Sequence, residues 1–421
     1  MAGHYLRLAW KVLLRRKFFT FVSLFGIAVT LVFLMVAAAL LDHVFAPHPP
    51  ETRMERTLGV YHVSLQGPNA TSVGPAGYRL VDRQVRPLAG ELPGVERVAV
   101  LQMQQTAVSY HGGRKIRLWR KRADGEFWKV LDFRFVEGGP FTRRDEEDRN
   151  FVAVINETTR DRFFGGEGPD VRAVGRTIEL DGQRFRVVGV VEDVPFLRIL
   201  PFADVWVPIS TQRGAGYRED LRGDYMALIL ARDREAFPAI RAAYEHRLAT
   251  LQFPDAREFD RAVGGAETLF EGFARFLLSD DLEESPAGRL LGILVAMGVV
   301  FMVLPAVNLV NLNLSRILER TSEIGVRKAF GGSSRALVGQ FLVENLVLTL
   351  LGGAVGLALS AAALEAIEAS GLIPYAELAL NPRIFLYGLA AAVVFGLLSG
   401  VYPAWRMSRL HPVEALRGRS S

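Results

Sequence analysis

Four long apolar blocks dominate the pattern of the chain, and most charged residues lie between them. Each block approaches the roughly 20 residues that an α-helix needs to cross the core of a bilayer. The predicted membrane-spanning segments are 18–41, 290–312, 337–364 and 384–401. The pattern therefore predicts an α-helical membrane protein with four transmembrane helices.

The first block could also be a secretory signal peptide. Arg15, Arg16 and Lys17 precede it, and Val44-Phe45-Ala46 is a weak cleavage-like site. The apolar region of a signal peptide is about 7–15 residues long, however, and this run is much longer. We therefore interpret the first block as an uncleaved anchor.

Basic residues near the ends of the blocks predict the orientation of the chain. Lys and Arg are concentrated in the N-terminal segment 1–17, the loop 313–336 and the tail 402–421, whereas the loop 365–383 has three glutamates and one arginine. The first three segments are therefore expected in the cytoplasm. Residues 42–289 and 365–383 are expected outside.

Residues 42–289 predict a large α+β domain inserted between the first and second spans. Asp181-Gly182 separates two segments of alternating polarity, which is typical of a β-hairpin, and the run Val187–Val191 indicates that the second strand becomes buried. Apolar residues at helical spacing predict an amphipathic helix that packs on the sheet: Phe237, Ile240, Tyr244, Leu248 and Leu251. The segment 268–289 predicts a helix leading into the second span.

Composition argues against several kinds of chemistry. The chain has no cysteine, and its seven histidines show no metal-ligand spacing, so neither a thiolate site nor a metal site is expected. There is no Gly-x-Ser-x-Gly motif, and the acidic clusters at 145–148 and 280–284 are interpreted as solvated turns. The net charge of +5 comes without a recognised basic stripe carrying interleaved aromatics, so nucleic acid is not an expected partner. These features favour a non-catalytic chain without a cofactor of its own.

The loop 313–336 carries a pattern of its own. Residues 315–330 read as a helix, in which Glu323 and Arg327 form an i,i+4 pair in the favourable order. Gly331 can provide the left-handed residue that ends such a helix. A solvated, positively charged loop would also fit the charges, but a defined helix at this place favours docking to a partner.

Polar and small residues interrupt the apolar spans. Glu344 and Asn345 lie in the third span, where an ionised carboxylate is expensive. They could form a coupling or proton site, or Glu344 could simply face the helix bundle near the cytoplasmic surface, bonded to Asn308 or Asn311. Small residues four apart permit close helix packing, within one subunit or between two: Gly352, Gly356 and Ser360.

The sequence of the loop resembles that of a known family. Residues 319–333 resemble the signature loop of FtsX/MacB-type ABC permeases, and the segments 340–345, 351–356 and 402–417 continue the resemblance. In the outside domain, four segments resemble the MacB-like periplasmic domain: 136–141, 152–157, 174–178 and 188–191.

This resemblance implies a mechanism. In the family two permease subunits pair, a cytoplasmic ATPase binds each, and the loop helix couples ATP-driven movement to the outside domain. By resemblance, the residues that face the ATPase are Arg316, Glu319, Arg320, Glu323, Ile324, Gly325, Arg327, Lys328 and Gly331. The sequence has no Gly-x-x-x-x-Gly-Lys-Ser/Thr loop, so ATP and magnesium are expected on a partner chain.

The resemblance leaves three functions open. The first is ATP-driven export or extraction of a substrate at the outer face of a bacterial inner membrane, with a second permease copy or a paralogue in the dimer. A periplasmic adaptor and an outer-membrane channel are further candidate partners. The second is FtsX-like signalling to cell-wall hydrolases, and the third is LolC/LolE-like lipoprotein extraction. The large outside domain favours the first over the second, and the MacB-like segments of that domain favour the first over the third.

Overall fold

The computed structural model describes residues 17–69, 71–165, 172–255, 257–278, 285–319, 334–378 and 380–408. Its residues divide into two compact units. The helical unit contains Met1–His43, Gly292–Leu372 and Glu377–Ser421, and the sheet unit contains Val44–Leu291 together with Ile373–Ala376.

The described helices differ greatly in length. They are α1 (Lys17–Phe45), α2 (Tyr78–Leu80), α3 (Leu88–Glu91), α4 (Phe127–Val130), α5 (Arg143–Glu147), α6 (Glu157–Phe164), α7 (Phe237–Ala249), α8 (Leu269–Leu278), α9 (Ala287–Glu319), α10 (Ser334–Ala369) and α11 (Pro382–Ser408). A π-helical turn, Val81–Val85, follows α2. Single 3-10 turns occur at Met54–Arg56, Ile209–Thr211, Gly216–Arg218 and Arg234–Ala236.

The helical unit is apolar on its outside as well as inside. Phe18, Phe21 and Phe25 on α1 are 72%, 65% and 59% exposed. A helix that exposes large apolar residues along its length suits a lipid environment rather than water.

The long helices match the predicted spans to different degrees. Within the described residues, two apolar stretches are long enough to cross a bilayer, Thr20–Phe45 in α1 and Val338–Ala369 in α10. The apolar stretches of α9 and α11 are shorter, Ala287–Val303 and Pro382–Leu398. The four-span arrangement therefore stays a prediction.

The strands of the sheet unit are mostly short. They are β1 (Thr57–Val60), β2 (Val63–Gln66), β3 (Thr71–Gly74), β4 (Val95–Gln102), β5 (Gln105–His111), β6 (Arg114–Ala123), β7 (Phe135–Gly138), β8 (Val152–Asn156), β9 (Thr177–Leu180), β10 (Gln183–Val191), β11 (Val205–Pro208), β12 (Tyr225–Ala231) and β13 (Arg261–Gly264).

These strands form two sheets. The larger has ten strands in the order β1-β12-β4-β6-β11-β8-β10-β7, with β5 paired to β6 and β9 paired to β10. The β6–β11 and β8–β10 pairs are parallel. The smaller sheet has the order β13-β2-β3.

Alternation along the central strands gives the large sheet two buried faces. In β8, Val152 and Val154 pack with Trp206 in one core, which also contains Phe202 and is called here the front core. The intervening Ala153 and Ile155 pack with Phe163 and Phe185 in the core behind. A third core lies where α7 covers β12 and β4. This alternation is what period-two strands with both faces covered require.

Two sequence predictions for this unit are confirmed. Asp181 and Gly182, with φ of 49° and 74°, connect β9 to β10, and β10 becomes buried from Val187 onwards. Ile240, Tyr244 and Leu248 of α7 are buried as predicted, although the helix ends at Ala249, before Leu251.

Three predictions need correction or lie elsewhere. The acidic cluster at 145–148 is part of a helix rather than a turn, because Thr142 and Asp145 form a capping box at the start of α5. α9 continues unbroken to Glu319, past the predicted loop start at 313. The acidic cluster at 280–284 and the predicted helix beyond Glu319 lie outside the described residues.

Candidate functional site

The two polar residues predicted in the third span lie inside the helical unit. Glu344 and Asn345 on α10 are 2% and 3% exposed. Gln340 Nε2 donates to Glu344 Oε1 at 3.0 Å. Asn311, one predicted partner of Glu344, is exposed, and the side chain of Asn308 lies outside the described residues. The buried position of Glu344 fits the alternative in which it faces the helix bundle. Its described partner is Gln340 rather than Asn308 or Asn311.

The small residues of α10 make a contact within one subunit. A Cβ atom at Gly352 would lie 2.8 Å from Ile27 Cγ2, and one at Gly356 would lie 3.1 Å from Leu31 Cβ. Ser360 Oγ donates to the carbonyl of Gly356 at 2.7 Å, so it is satisfied by its own helix. These glycines therefore let α1 and α10 of one chain pack closely, and a role between two subunits stays a prediction.

The residues predicted to couple to an ATPase are hardly described. Arg316 and Glu319 lie in the last turn of α9, and nothing is described of their side chains. Arg320, Glu323, Ile324, Gly325, Arg327, Lys328 and Gly331 lie outside the described residues. The coupling surface stays a prediction from the sequence.

In the sheet unit, a buried ion pair fastens the segment that follows α1. Arg198 Nη1 lies 2.7 Å from Glu51 Oε2, and both side chains are 2% exposed. The same guanidinium donates to the carbonyls of Ala46 and His48, at 3.2 and 3.4 Å. The Pro-rich stretch 47–50 is therefore bonded into the unit.

A buried lysine lies close to this ion pair. Lys121 is fully buried, and its Nζ donates to the carbonyls of Ile199 and Leu200, both at 2.8 Å. Burial lowers the pKa of Lys121 to about 7, although Glu51 opposes the shift. Burial likewise raises the pKa of Glu51 to about 7, against the pull of Arg198. The sequence reasoning missed this cluster, because a single arginine in an apolar run gives no periodic signal.

A segment of the predicted outside loop also belongs to the sheet unit. The hydroxyl of Tyr375 donates to Asp204 Oδ1 at 3.0 Å, and its ring lies 6.4 Å from that of Phe202. The backbone N–H of Phe196 donates to the carbonyl of Pro374 at 3.0 Å. Burial raises the pKa of Asp204. The loop between α10 and α11 is therefore built into the sheet unit at Ile373–Ala376.

The sheet unit also has an open cleft of about 520 Å³. Its wall mixes Tyr78 and Tyr217 with arginines and carboxylates, and several of these charges are already paired, including Arg86 with Asp82 and Asp124. Ligand pockets are usually more apolar. Within the described residues, no cluster of His, Asp and Glu could hold a metal ion.

Two family patterns match the chain. The MacB-like periplasmic core domain matches residues 20–247, and the FtsX-like permease C-terminal domain matches residues 295–412. The chain belongs to the MacB/FtsX-like ABC transporter permeases. The resemblance found in the sequence is thereby confirmed, and the membrane location follows for the family.

Relatives of this permease are longer proteins. It is 30% identical over 297 residues to the macrolide export ATP-binding/permease protein MacB of Escherichia coli K12, which covers 69% of this chain and 42% of the relative. It is 26% identical over 420 residues to the pyoverdine export ATP-binding/permease protein PvdT of Pseudomonas putida, covering 98% and 59%. The chain thus spans less than two thirds of each.

Similarity to solved structures is at a low level. The periplasmic region of MacB from Actinobacillus actinomycetemcomitans has a TM-score of 0.37 and 14% identity, over 53% of this chain and 94% of that chain. At this level the likeness adds nothing to the assignment.

Proposed function

We propose that this permease couples ATP hydrolysis by a separate cytoplasmic ATPase to movement of its sheet unit, and so drives export or extraction of a substrate. The observation that carries the proposal is the FtsX-like match over 295–412, which includes the charged stretch from Arg316 to Gly331. The stretch has the length and the mixed charges of a helix that docks on a partner. The names of the relatives, which include macrolide export and pyoverdine export, favour transport over signalling.

The proposal includes a topology and an assembly. Four membrane spans place both termini and the 313–336 loop in the cytoplasm, with 42–289 and 365–383 outside. The permease works as a dimer with a second copy or a paralogue, and a periplasmic adaptor and an outer-membrane channel are the further partners. The attachment of Ala46 and Tyr375 to the sheet unit supports the coupling, because movement of α1, α10 or α11 would pull on bonded segments rather than on slack linkers.

Co-purification tests the ATPase partner. The tagged full-length chain is purified in mild detergent from its own host, beside the charge reversal Glu323→Lys. The matched control is Glu245→Lys, an exposed glutamate on α7 of the sheet unit. We expect an ABC ATPase with the wild type and with Glu245→Lys, and its loss with Glu323→Lys. Retention of the ATPase by Glu323→Lys would place the docking surface elsewhere.

The identity of any third protein separates the functions. An adaptor or an outer-membrane channel in the same preparation supports export. A cell-wall hydrolase supports the FtsX-like alternative, and a lipoprotein carrier supports the LolC/LolE-like one.

A further inference from the structure

The hairpin formed by β5 and β6 presents an uncovered face at the edge of the large sheet. Directly opposite residues in a ladder share a face, so Tyr110 with Lys115, Val108 with Arg117 and Thr106 with Trp119 form one surface, called here the front hairpin face. Tyr110 is 64% exposed and Trp119 is 37% exposed. The other face of the hairpin is buried, with Ala107 and Leu118 in the core behind.

The front hairpin face is basic and aromatic. Lys115 and Arg117 are both exposed, and neither forms an ion pair with any residue that the structure describes. Tyr and Trp lie at the two ends of the same surface. Two exposed cations between amphipathic rings can attract an anionic partner that also accepts apolar contact.

The same face of β6 shows which way this surface points. Two and four residues beyond Trp119, Lys121 and Ala123 turn to the front core, where they are covered by Leu200, Phe202 and the ring of Tyr375. Trp119 itself lies 6.1 Å from Phe196 and 6.2 Å from Phe202. The front hairpin face therefore continues the covered front of the sheet.

The segments that cover this front adjoin the apolar helices in the chain. Arg198, next to Ile199, bonds the carbonyl of Ala46, which is the first residue after α1. Tyr375 lies in the connection from α10 to α11. Ile199 is 46% exposed on this side. The segments of the sheet unit that adjoin α1, α10 and α11 in the chain therefore lie on the front of this unit.

We propose that the front hairpin face binds anionic phospholipid headgroups in the outer leaflet of the membrane. Trp and Tyr are enriched at the depth of the headgroups, and clustered Lys and Arg are attracted to anionic lipid. Such a contact would brace the sheet unit against the bilayer beside its chain connections. The proposal rests on the extracytoplasmic placement of the sheet unit but not on the ATPase partner.

Site-directed fluorescence in vesicles tests this proposal. The chain has no cysteine, so Tyr110→Cys and His111→Cys each accept a single fluorophore, on the front hairpin face and on the opposite face respectively. The labelled full-length chain is reconstituted into phosphatidylcholine, alone or mixed with phosphatidylglycerol. A spin label on a lipid headgroup is the quencher. Thr106→Cys is the second site on the front face.

We expect several-fold stronger quenching at position 110 than at position 111 in the anionic vesicles, and a loss of that difference in pure phosphatidylcholine or at high salt. Lys115→Gln with Arg117→Gln should abolish the difference, whereas Arg114→Gln, on the opposite face, should keep it. Equal quenching at 110, 106 and 111 would overturn the proposal, as would quenching that ignores lipid charge. Protection of position 110 from both lipid and aqueous quenchers would overturn it in favour of a protein partner.

Discussion

At the scale of single residues, the sheet unit depends on charges that are buried where the chain enters it. Arg198 and Glu51 are both shielded from water, and the guanidinium also satisfies two backbone carbonyls. A buried pair of this kind contributes little compared with two well-packed apolar residues, but removing one partner leaves an uncompensated charge. The free energy of unfolding lost on substitution therefore depends on whether one charge stays buried without its partner.

We expect Arg198→Ala to lower the free energy of unfolding by about 3 kcal/mol, because Glu51 would stay buried without its partner. Denaturant unfolding of the full-length chain in detergent, followed by tryptophan fluorescence, measures the change. The double substitution Arg198→Met with Glu51→Gln should cost less than the single one. Arg184→Ala, which breaks an exposed pair, should change the stability by less than about 1 kcal/mol. A larger loss in the double variant than in the single one would contradict this account.

A half-buried histidine gives the sheet unit a dependence on pH. Burial lowers the pKa of His62, with Arg275 adding to the shift, and Nδ1 of His62 has no partner in the described residues. The unfolded state therefore binds more protons than the folded one once the pH falls below about 6.5. The contribution of His62 to stability is complete above that pH and is lost as the pH falls through it.

His62→Gln should remove this part of the pH dependence. The difference in free energy of unfolding between wild type and variant is measured from pH 8 to about pH 5. Below about pH 6.5 the wild type should steadily lose free energy of unfolding relative to the variant. His246→Gln, at an exposed position on α7, is measured beside it as the control substitution. A constant difference for His62→Gln would show that this side chain titrates as in water.

At the scale of elements, close packing of α1 against α10 depends on glycine. The Cβ of any other residue at Gly352 would meet Ile27 within 2.8 Å. We expect Gly352→Leu to destabilise the helical unit by about 1–3 kcal/mol, because a packed interior resists added volume. Thermal unfolding in detergent is the measurement, and Ala354→Leu, at an exposed position two residues on, is the control. Equal stability of the two variants would show that α1 and α10 accommodate a larger side chain at Gly352 without loss of stability.

How much of each element could be predicted depends on whether its cause is local. The β9–β10 hairpin follows from Asp181-Gly182, and α7 follows from its apolar spacing, so both could be read from the sequence. The contact of Gly352 with Ile27 could not, because small residues four apart permit close packing without naming the partner helix. The fastening of Ala46 by Arg198 joins residues far apart in the chain and has no periodic signature.

The front hairpin face shows a related limit of sequence reasoning. Along the chain the basic residues of β6 form a single run, but alternation divides them between two faces. Lys115 and Arg117 are exposed, whereas Lys121 is buried on the same side. Only the pairing of β5 with β6 brings Tyr110 opposite Lys115. A linear pattern of basic and aromatic residues therefore does not reveal this surface, because its residues come from two paired strands.

At the scale of the whole molecule, the chain passes between its two units at four points. Two are the ends of the large insertion, after His43 and before Gly292, and two flank Ile373–Ala376. The second pair depends on noncovalent bonds, since four residues have no core of their own. The position of Ile373–Ala376 in the sheet unit therefore depends on the docking of Tyr375 and Pro374 on Asp204 and Phe196.

The absence of cysteine from the chain allows this docking to be measured directly. The N–H of Phe196 donates to the carbonyl of Pro374 at 3.0 Å, so the two positions are neighbours and a pair of cysteines placed there can report on their approach. We expect the double variant Phe196→Cys, Pro374→Cys to form a cross-link under mild oxidation, detected as loss of maleimide labelling. Each single-cysteine variant should keep its labelling. Adding Asp204→Ala removes the acceptor of the Tyr375 hydroxyl and should slow the cross-link, because the segment would then leave its site more often. Rapid cross-linking that Asp204→Ala leaves unchanged would show that Tyr375 is not what holds the loop.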